Sequence, residues 1–460
     1  MKRIVMMMMV VAMVMMLAAG CADEATPEEE AAQIEMEVDA LTAQAPPLVA
    51  ASLRQTQDMT TVGLAMLDDA RKQPQPSPIE KRIYMVVGET EAINAVEDLL
   101  VERERQGYFV RTASLERIKQ VFNQYDTVPE QVRAALQEEE AFFQSENEVY
   151  LLLLGSHETI PFVWFETDPV DPYEYGVYTD GYYANLHSDF DSDGDGNLGE
   201  WGQDDYDLNR ELHVGRVPLD NPAQIRAWAR RVLNFEKDQS ARMDESLLAG
   251  GYIAVEGDTA VAVSLVRELV LKPQGYDVTT MLEEHPYGDN YRFLQSDRTL
   301  DQDEFTDQLS NNEYGFVFWM SHGNHLGAST LNHGSFIYLT ELDHLKAKPP
   351  TLYFSSACLQ SFPAYGNNLG EQMMQTNATA FVASTGETYP GALGGGSLIF
   401  LVATHKVVVQ SMPLAVGIDQ ARDVYIKNFW KLPYDRGTFL KNYFGFTVLG
   451  DPAMAYPNRG

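Results

Sequence analysis

Two kinds of apolar pattern alternate along this chain. Short apolar runs occur at 83–88 (IYMVVG), at 108–113 (YFVRTA), where Arg111 and Thr112 interrupt the run, and at 149–155 (VYLLLLG); the first and last are unbroken. Their length and apolarity predict strands, the last one buried on both faces. Between them, 89–106 and 129–144 carry apolar residues at helical spacing, as does 222–237 after the segment ELHVGRVP. The pattern then restarts. Strands are predicted at 247–255, 277–282, 315–323 (GFVFWMSHG), 351–358 (TLYFSSAC) and 378–385 (ATAFVAST), with helices at 260–271, 302–309, 368–375 and 415–429. Strand and helix in alternation predict an α/β fold with mostly parallel sheets. The restart predicts two α/β subdomains, 81–240 and 245–455, with no internal repeat that aligns.

The first eighty residues read differently. Lys2 and Arg3 precede an apolar run over 4–17, which is shorter than the ~20 residues a spanning helix needs. Ala18, Ala19 and Gly20 then lead into Cys21, the small-residue context of a signal-peptidase cut. A cysteine directly after such a site resembles a bacterial lipobox, with the leucine one place early at Leu17. That predicts an exported lipoprotein, anchored in a membrane through Cys21 and facing the periplasm or the cell surface. The competing reading is an ordinary secretory signal in which Cys21 is incidental. Residues 21–80 are acidic, end in the proline-rich QPQPSP and predict a tether, with a weak helical pattern over 53–67.

Composition narrows the function. Asp and Glu number 67 against 33 Lys and Arg, a net charge of −34. That argues against nucleic acid as a partner, since such binding needs basic patches. With 45% apolar and 11% aromatic residues the chain is globular. Two cysteines give no disulfide framework. If Cys21 carries lipid, Cys358 is the only thiol of the mature chain, and an unpaired thiol outside the cytoplasm marks itself as a candidate for reactivity.

His322 and Cys358 each follow a strongly apolar predicted strand, on a bend of small residues (Ser321 and Gly323; Ser356 and Ala357). Active sites of open α/β sheets lie beyond the carboxyl ends of strands. If the two strands are neighbours, imidazole and thiol meet at one edge. A Cys/His pair suits nucleophilic acyl transfer, with backbone N–H groups near Gly323 and Cys358 receiving the oxyanion. Taken singly, Cys358 reads equally as a buried structural thiol and His322 as a core histidine. His322 and His325 in HGNH suggest a metal pair only weakly, because the glutamate of HExxH is missing and the preceding run is strand-like. His325, His333, His344 and His405 read as surface or supporting residues.

The segments VFWMSHG and YFSSAC resemble the His-Gly and Ala-Cys motifs of the caspase, legumain and gingipain clan of cysteine peptidases. The nearer likeness is to the gingipain family. It extends through YLLLLGSHETIP, ELHVGRVP with its helix ending NFEKD, AFVAST and NYFGFTVLGDPAMAYP, so it covers roughly 83–457. The caspase signature is absent, the cysteine standing in SACLQ. The resemblance implies a caspase–hemoglobinase α/β fold whose second half is catalytic, and thiol endopeptidase activity on protein or peptide substrates without an organic cofactor. It implies His322 as catalytic histidine, Cys358 as nucleophile and Gly323 beside the oxyanion. It implies Tyr389 in the primary specificity pocket, one place off the family spacing. Glu256 and Asp258 are candidates for the family's acidic substrate-binding residues, or else belong to a solvated loop. Two further readings stay open: an inactive surface-binding lipoprotein with the peptidase fold, and a transpeptidase using the same dyad.

One more motif stands apart. DFDSDGDGNLGEW (189–201) matches a calcium loop with Asp189, Asp191, Asp193, Gly194 and Glu200 at the first, third, fifth, sixth and twelfth places. A second register starts at Asp191, with Leu198 at the apolar place and Gly202 where the bidentate glutamate belongs. Four aspartates, Asp189, Asp191, Asp193 and Asp195, crowd one turn, which is costly unless a cation neutralises them. The flanks do not predict paired EF-hand helices, so an isolated structural calcium loop is expected. The competing reading is a solvated acidic loop.

Overall fold

The computed structural model describes residues 47–72, 81–140, 148–167, 176–253, 259–284, 296–389, 396–429 and 436–457. Cys21, Glu256 and Asp258 lie outside the described residues. The strands are β1 (Arg82–Gly88), β2 (Tyr108–Ser114), β3 (Glu148–Leu154), β4 (Val163–Phe165), β5 (Val177–Thr179), β6 (His213–Val217), β7 (Glu245–Gly250) and β8 (Asp277–Leu282). They continue with β9 (Arg298–Thr299), β10 (Phe316–Met320), β11 (His322–Asn324), β12 (Gly327–Thr330), β13 (Gly334–Tyr338), β14 (Thr351–Ser356), β15 (Ala378–Ser384) and β16 (Phe446–Leu449).

Eleven of these form one sheet in the order β2-β1-β3-β6-β16-β15-β14-β10-β7-β8-β9. Neighbours are parallel everywhere except at β15–β16. The sequence predicts two α/β halves. The structure joins them edge to edge, with two parallel blocks running in opposite directions. The joint is β16, a wholly buried strand from the end of the chain that lies parallel to β6 of the first block. Just beyond it, Asp451 accepts from Tyr84 of β1 (3.0 Å) and from Arg103, which also pairs with Glu236 at 2.9 Å. The end of the chain is thereby locked to the first block.

The central strands are buried along their whole length, as the unbroken apolar runs require. Alternate side chains of β10 meet different helices. Phe318 stacks on Phe400 of the helix Ser397–Ala403, and Trp319 meets Phe305 of the helix Gln302–Asn311 edge-on. Helices therefore cover both faces of the sheet.

The tether reading needs correction over part of its range. Residues Pro47–Lys72 form one helix that docks on the second half of the chain. Met59, Met66, Leu67 and Ala70 are buried there. Fully burying a Met or Leu contributes roughly 1.5–3 kcal/mol, enough to hold a helix whose composition alone looks linker-like. Asp69 pairs with Lys427 (2.6 Å), and Lys406 Nζ donates to the Ala70 carbonyl at 2.7 Å. His405, expected near the surface, is buried beside these groups. Burial, with Arg71 and Lys406 nearby, lowers its pKa to about 4.

Candidate active site

β10 and β14 are direct parallel neighbours, with Met320 opposite Ser356. The chain leaves both strands at the same level, so His322 and Cys358 follow side by side at one carboxyl edge. Ser321 N–H reaches the Ser356 carbonyl at 3.4 Å across this exit. Gly323 then runs against the cysteine segment. A Cβ placed on it would stand 2.8 Å from the Ala357 Cβ and 3.1 Å from the Cys358 carbonyl oxygen. Only glycine permits that approach. His322 and Cys358 are both half-buried, between the sealed strand ends and solvent.

The turn after Cys358 is held from several sides. Leu359 has φ +62, the left-handed region that L-residues with a full side chain rarely enter. Its N–H donates to the Gly386 carbonyl (2.9 Å), and Ser361 N–H donates to the Ser384 carbonyl at 2.8 Å, so the end of β15 and the residues just after it brace the turn. From below, the buried Gln360 side-chain oxygen accepts from Trp319 Nε1 (3.2 Å) and from the Ser355 hydroxyl. Thr388 touches the sulfur itself. Its N–H donates to Sγ at 3.4 Å, and its carbonyl and hydroxyl oxygens stand 3.6 Å away. The N–H can donate to the sulfur and the carbonyl can accept from the thiol, so Thr388 holds the sulfur in place in either protonation state.

Next to Thr388 lies Tyr389, half-buried, its backbone bracketed by the Asn442 amide at 3.0 and 3.2 Å. The Lys441 ammonium stands 5.6 Å from its ring centroid. On the histidine side, β11–β12–β13 form a small antiparallel sheet in which His322 pairs with Ser329. The buried Glu283 carboxylate ties this sheet down, accepting from Asn332 N–H (2.6 Å) in the β12–β13 turn and from Tyr252 N–H (2.7 Å) after β7. The His325 carbonyl accepts from Leu369 N–H at 2.7 Å, His333 is exposed in the β12–β13 turn, and His344 Nδ1 contacts the Glu341 carbonyl.

The acidic loop lies elsewhere, between β5 and β6. Carboxylate oxygens of Asp191, Asp193 and Asp195 fall within 4.8 Å of one another. That grouping follows the register beginning at Asp191, with Gly196 (φ +91) at the sharp turn. Asp189 and Glu200 stand outside it. Asp189 accepts from Asp191 N–H (3.3 Å) and pairs by its backbone with Asp205. Glu200 is buried, and its Oε2 has no hydrogen-bond partner. Burial, with Asp195, Glu166 and Asp193 nearby, holds its pKa above the usual carboxylate range. Convergent carboxylates beside an orphaned buried oxygen fit a hard cation with oxygen ligands.

Comparison with known proteins decides the family. The model of peptidase family C25 matches residues 78–457. The chain belongs to peptidase family C25, the gingipain family of cysteine endopeptidases. Among solved structures, this family member is similar to the Arg-specific cysteine proteinase gingipain R, at 15% identity over 83% of this chain and 80% of that one, TM-score 0.61. It is similar also to the complex of Porphyromonas gingivalis RgpB pro- and mature domains, at 16% identity over 81% and 79%, TM-score 0.60. A third structure, described as a protease, matches at 14% identity over 85% and 81%, TM-score 0.58. No curated protein matches the chain significantly. The fold is thus the caspase-like α/β fold expected from the sequence. Among the described residues, no helix is long and apolar enough to cross a membrane.

Of the expected site residues in this C25 peptidase, His322, Gly323, Cys358 and Tyr389 gather at one edge. Asp191, Asp193 and Asp195 gather at another place. Sequence reading missed Thr388, Leu359 and Glu283. Thr388 stands one residue before the expected Tyr389 and carried no signal of its own. Leu359 reads as an ordinary apolar residue until its backbone angle is known. Glu283 follows a correctly predicted strand, and its acidic type at a buried strand end was the one available cue.

Proposed function

We propose that this peptidase cleaves protein substrates through Cys358 and His322, outside the cytoplasm, with a lipid anchor at Cys21 and a calcium-stabilised acidic loop. The observation that carries the dyad is the β10–β14 register, which starts both reactive residues from one level. His322 takes the thiol proton, and the sulfur attacks the scissile carbonyl. The oxyanion is received by backbone N–H groups at Gly323 and Cys358. His322 returns the proton to the departing amine, and water then hydrolyses the thioester. Thr388 holds the sulfur in position before attack. Tyr389 forms one wall for the side chain at the cleaved bond.

The test uses the full chain. Cys358→Ala is expected to abolish hydrolysis of a peptide library and labelling by a thiol-directed inhibitor while the melting temperature holds. Retained hydrolysis would falsify the dyad. For calcium, Asp191, Asp193 and Asp195 are the proposed ligands, with Glu200, outside the group, adding negative charge to the site. The ion would supply positive charge to a loop otherwise self-repelling. Titrating calcium into chelated protein should raise the melting temperature, and no shift rejects the site. For the anchor, the mass of the mature N-terminal peptide should show lipid on Cys21.

A further inference from the structure

The hairpin β4–β5 has two unlike faces. Val163, Phe165 and Val177 point inward and are buried, with Thr179 beside them. Phe165 packs on Phe444 (5.1 Å between centroids), and Val177 sits so close that a Cβ on Gly386 would meet it at 2.6 Å. The outward face of an antiparallel hairpin is ordinarily polar. Here it carries Trp164 and Tyr178, directly opposite each other in register, both half-buried, with ring centroids 5.0 Å apart. Tyr178 also meets His157, at 5.3 Å, and Phe362, at 5.4 Å, which extend the row.

Phe362 decides what this surface is for. It belongs to the turn that carries Cys358, and its N–H donates to the Leu359 carbonyl at 3.0 Å. The hairpin is bonded to the same turn by a short path. The Thr385 hydroxyl donates to the Tyr178 carbonyl, and the next residue, Gly386, accepts from Leu359 N–H. The aromatic row is therefore continuous with the nucleophile turn and fixed to it. Edge-to-face rings offer apolar area at low entropic cost, the character of a binding hot spot.

We propose that this row is a substrate subsite, taking an aromatic or large aliphatic side chain that flanks the cleaved bond, at a position other than the one beside Tyr389. The proposal rests on Cys358 being the nucleophile. It makes the first half of the chain a contributor to specificity in a site whose chemistry comes from the second.

A positional-scanning peptide library on the wild-type enzyme should show, at one flanking position, about a tenfold preference for Phe over Ala, the scale of one well-packed ring. The test is the ratio of kcat/KM for two peptides differing only there, which is independent of the folded fraction of each preparation. Trp164→Ala and Tyr178→Ala should bring the ratio to within about twofold of unity, while Tyr178→Phe keeps it. Should either alanine variant be too unstable to assay, Trp164 fluorescence in Cys358→Ala, read against a Cys358→Ala/Trp164→Phe control, replaces it. The Phe peptide should perturb that emission and the Ala peptide should not. Equal emission changes, an unchanged ratio in both alanine variants, or no flanking preference in an active wild type overturns the subsite. A wild type that cleaves nothing, with Cys358 inert to alkylation, overturns the catalytic reading and the subsite together.

Discussion

The nucleophile turn and the acidic loop are both tight and rich in small residues, yet they are held by opposite means. Around Cys358 the bonds come from distant parts of the chain: Ser384 at the end of β15, Gly386 just after it, Trp319 of β10, and Thr388 at the sulfur. Around Asp193 they come from the loop itself. Asp191 accepts from Gly196 N–H (3.0 Å), Asp193 from Asp195 N–H (3.2 Å) and Asp195 from Asn197 N–H (2.8 Å). Each pair of these carboxylates repels by roughly 1–3 kcal/mol, depending on how wet the site is. The first site is fixed by fold alone. The second has a fold that asks for a counter-ion. Chemistry and stability should therefore separate cleanly on mutation.

The largest expected effect is on chemistry. Cys358→Ala should lower kcat/KM by 10⁴-fold or more, and His322→Ala by about 10³-fold, each with little change in melting temperature. Asp193→Asn should do the reverse, lowering the melting temperature of calcium-loaded protein while kcat is retained below the transition. A loss of kcat in Asp193→Asn matching that of His322→Ala, with the fold intact, would erase the distinction between the two loops. Gly323→Ala comes next. The added methyl cannot fit at 2.8 Å from the Ala357 Cβ, so β11 must move, taking His322 with it. A displacement of about 1 Å costs on the order of 10²-fold in kcat. Full activity in this variant would mean that the histidine strand has slack that the close contacts do not suggest.

Calcium removal sharpens the other side. If the acidic loop holds calcium as proposed, a hundredfold excess over Kd should contribute about 2.7 kcal/mol, all of it lost on chelation. The pH dependence should differ in sign between the two forms. Glu200 has its pKa raised above the ordinary 4.5, so the folded, cation-free loop binds a proton more tightly than the unfolded chain does. That contribution is complete below pH 4.5 and is lost as pH rises through the folded value. The calcium form needs ionised ligands, so its stability falls on acidification. The gap in melting temperature between loaded and chelated protein should therefore narrow on acidification from pH 7 to below pH 4.5. A gap that stays constant over that whole range would reject these carboxylates as the ligands.

Much of this was legible before the structure. β10 and β14 announce themselves because strands covered on both faces need unbroken apolar runs, and a reactive residue on small neighbours at the end of each is a rare coincidence. What stayed hidden had local causes. β16 is only FTVL, too short to show a period, yet it joins the two blocks. The helix Ser397–Ala403 is apolar all round because it is covered all round, so it has no polar face to betray its pitch. The helix Pro47–Lys72 spreads Met59, Met66, Leu67 and Ala70 among polar residues, and its burial depends on a partner surface far along the chain. The register of the acidic loop was ambiguous because two overlapping aspartate series satisfy the same motif, each with a left-handed glycine at its turn, and only the convergence of the Asp191, Asp193 and Asp195 carboxylates separates them.

The smallest effect tests how the nucleophile turn tolerates its own geometry. Leu359 occupies the left-handed region at a cost of about 1 kcal/mol, a conformation that in the acidic loop is left to Gly194 and Gly196. The leucine survives because the bond to Gly386 and the bonds that hold Gln360 and Ser361 just after it dictate the backbone from outside. Leu359→Asn keeps the N–H and suits the conformation better. It also gives up apolar contact from a half-buried side chain, worth less than a full burial of about 2 kcal/mol. The two terms nearly cancel. Unfolding free energy should change by less than about 1 kcal/mol, and kcat by less than about twofold, because the turn is set by its braces and not by this side chain. A large loss of activity with stability intact would mean that the leucine itself shapes the space over the sulfur. The contrast between a turn fixed from outside and a loop bonded to itself would then need redrawing at that residue.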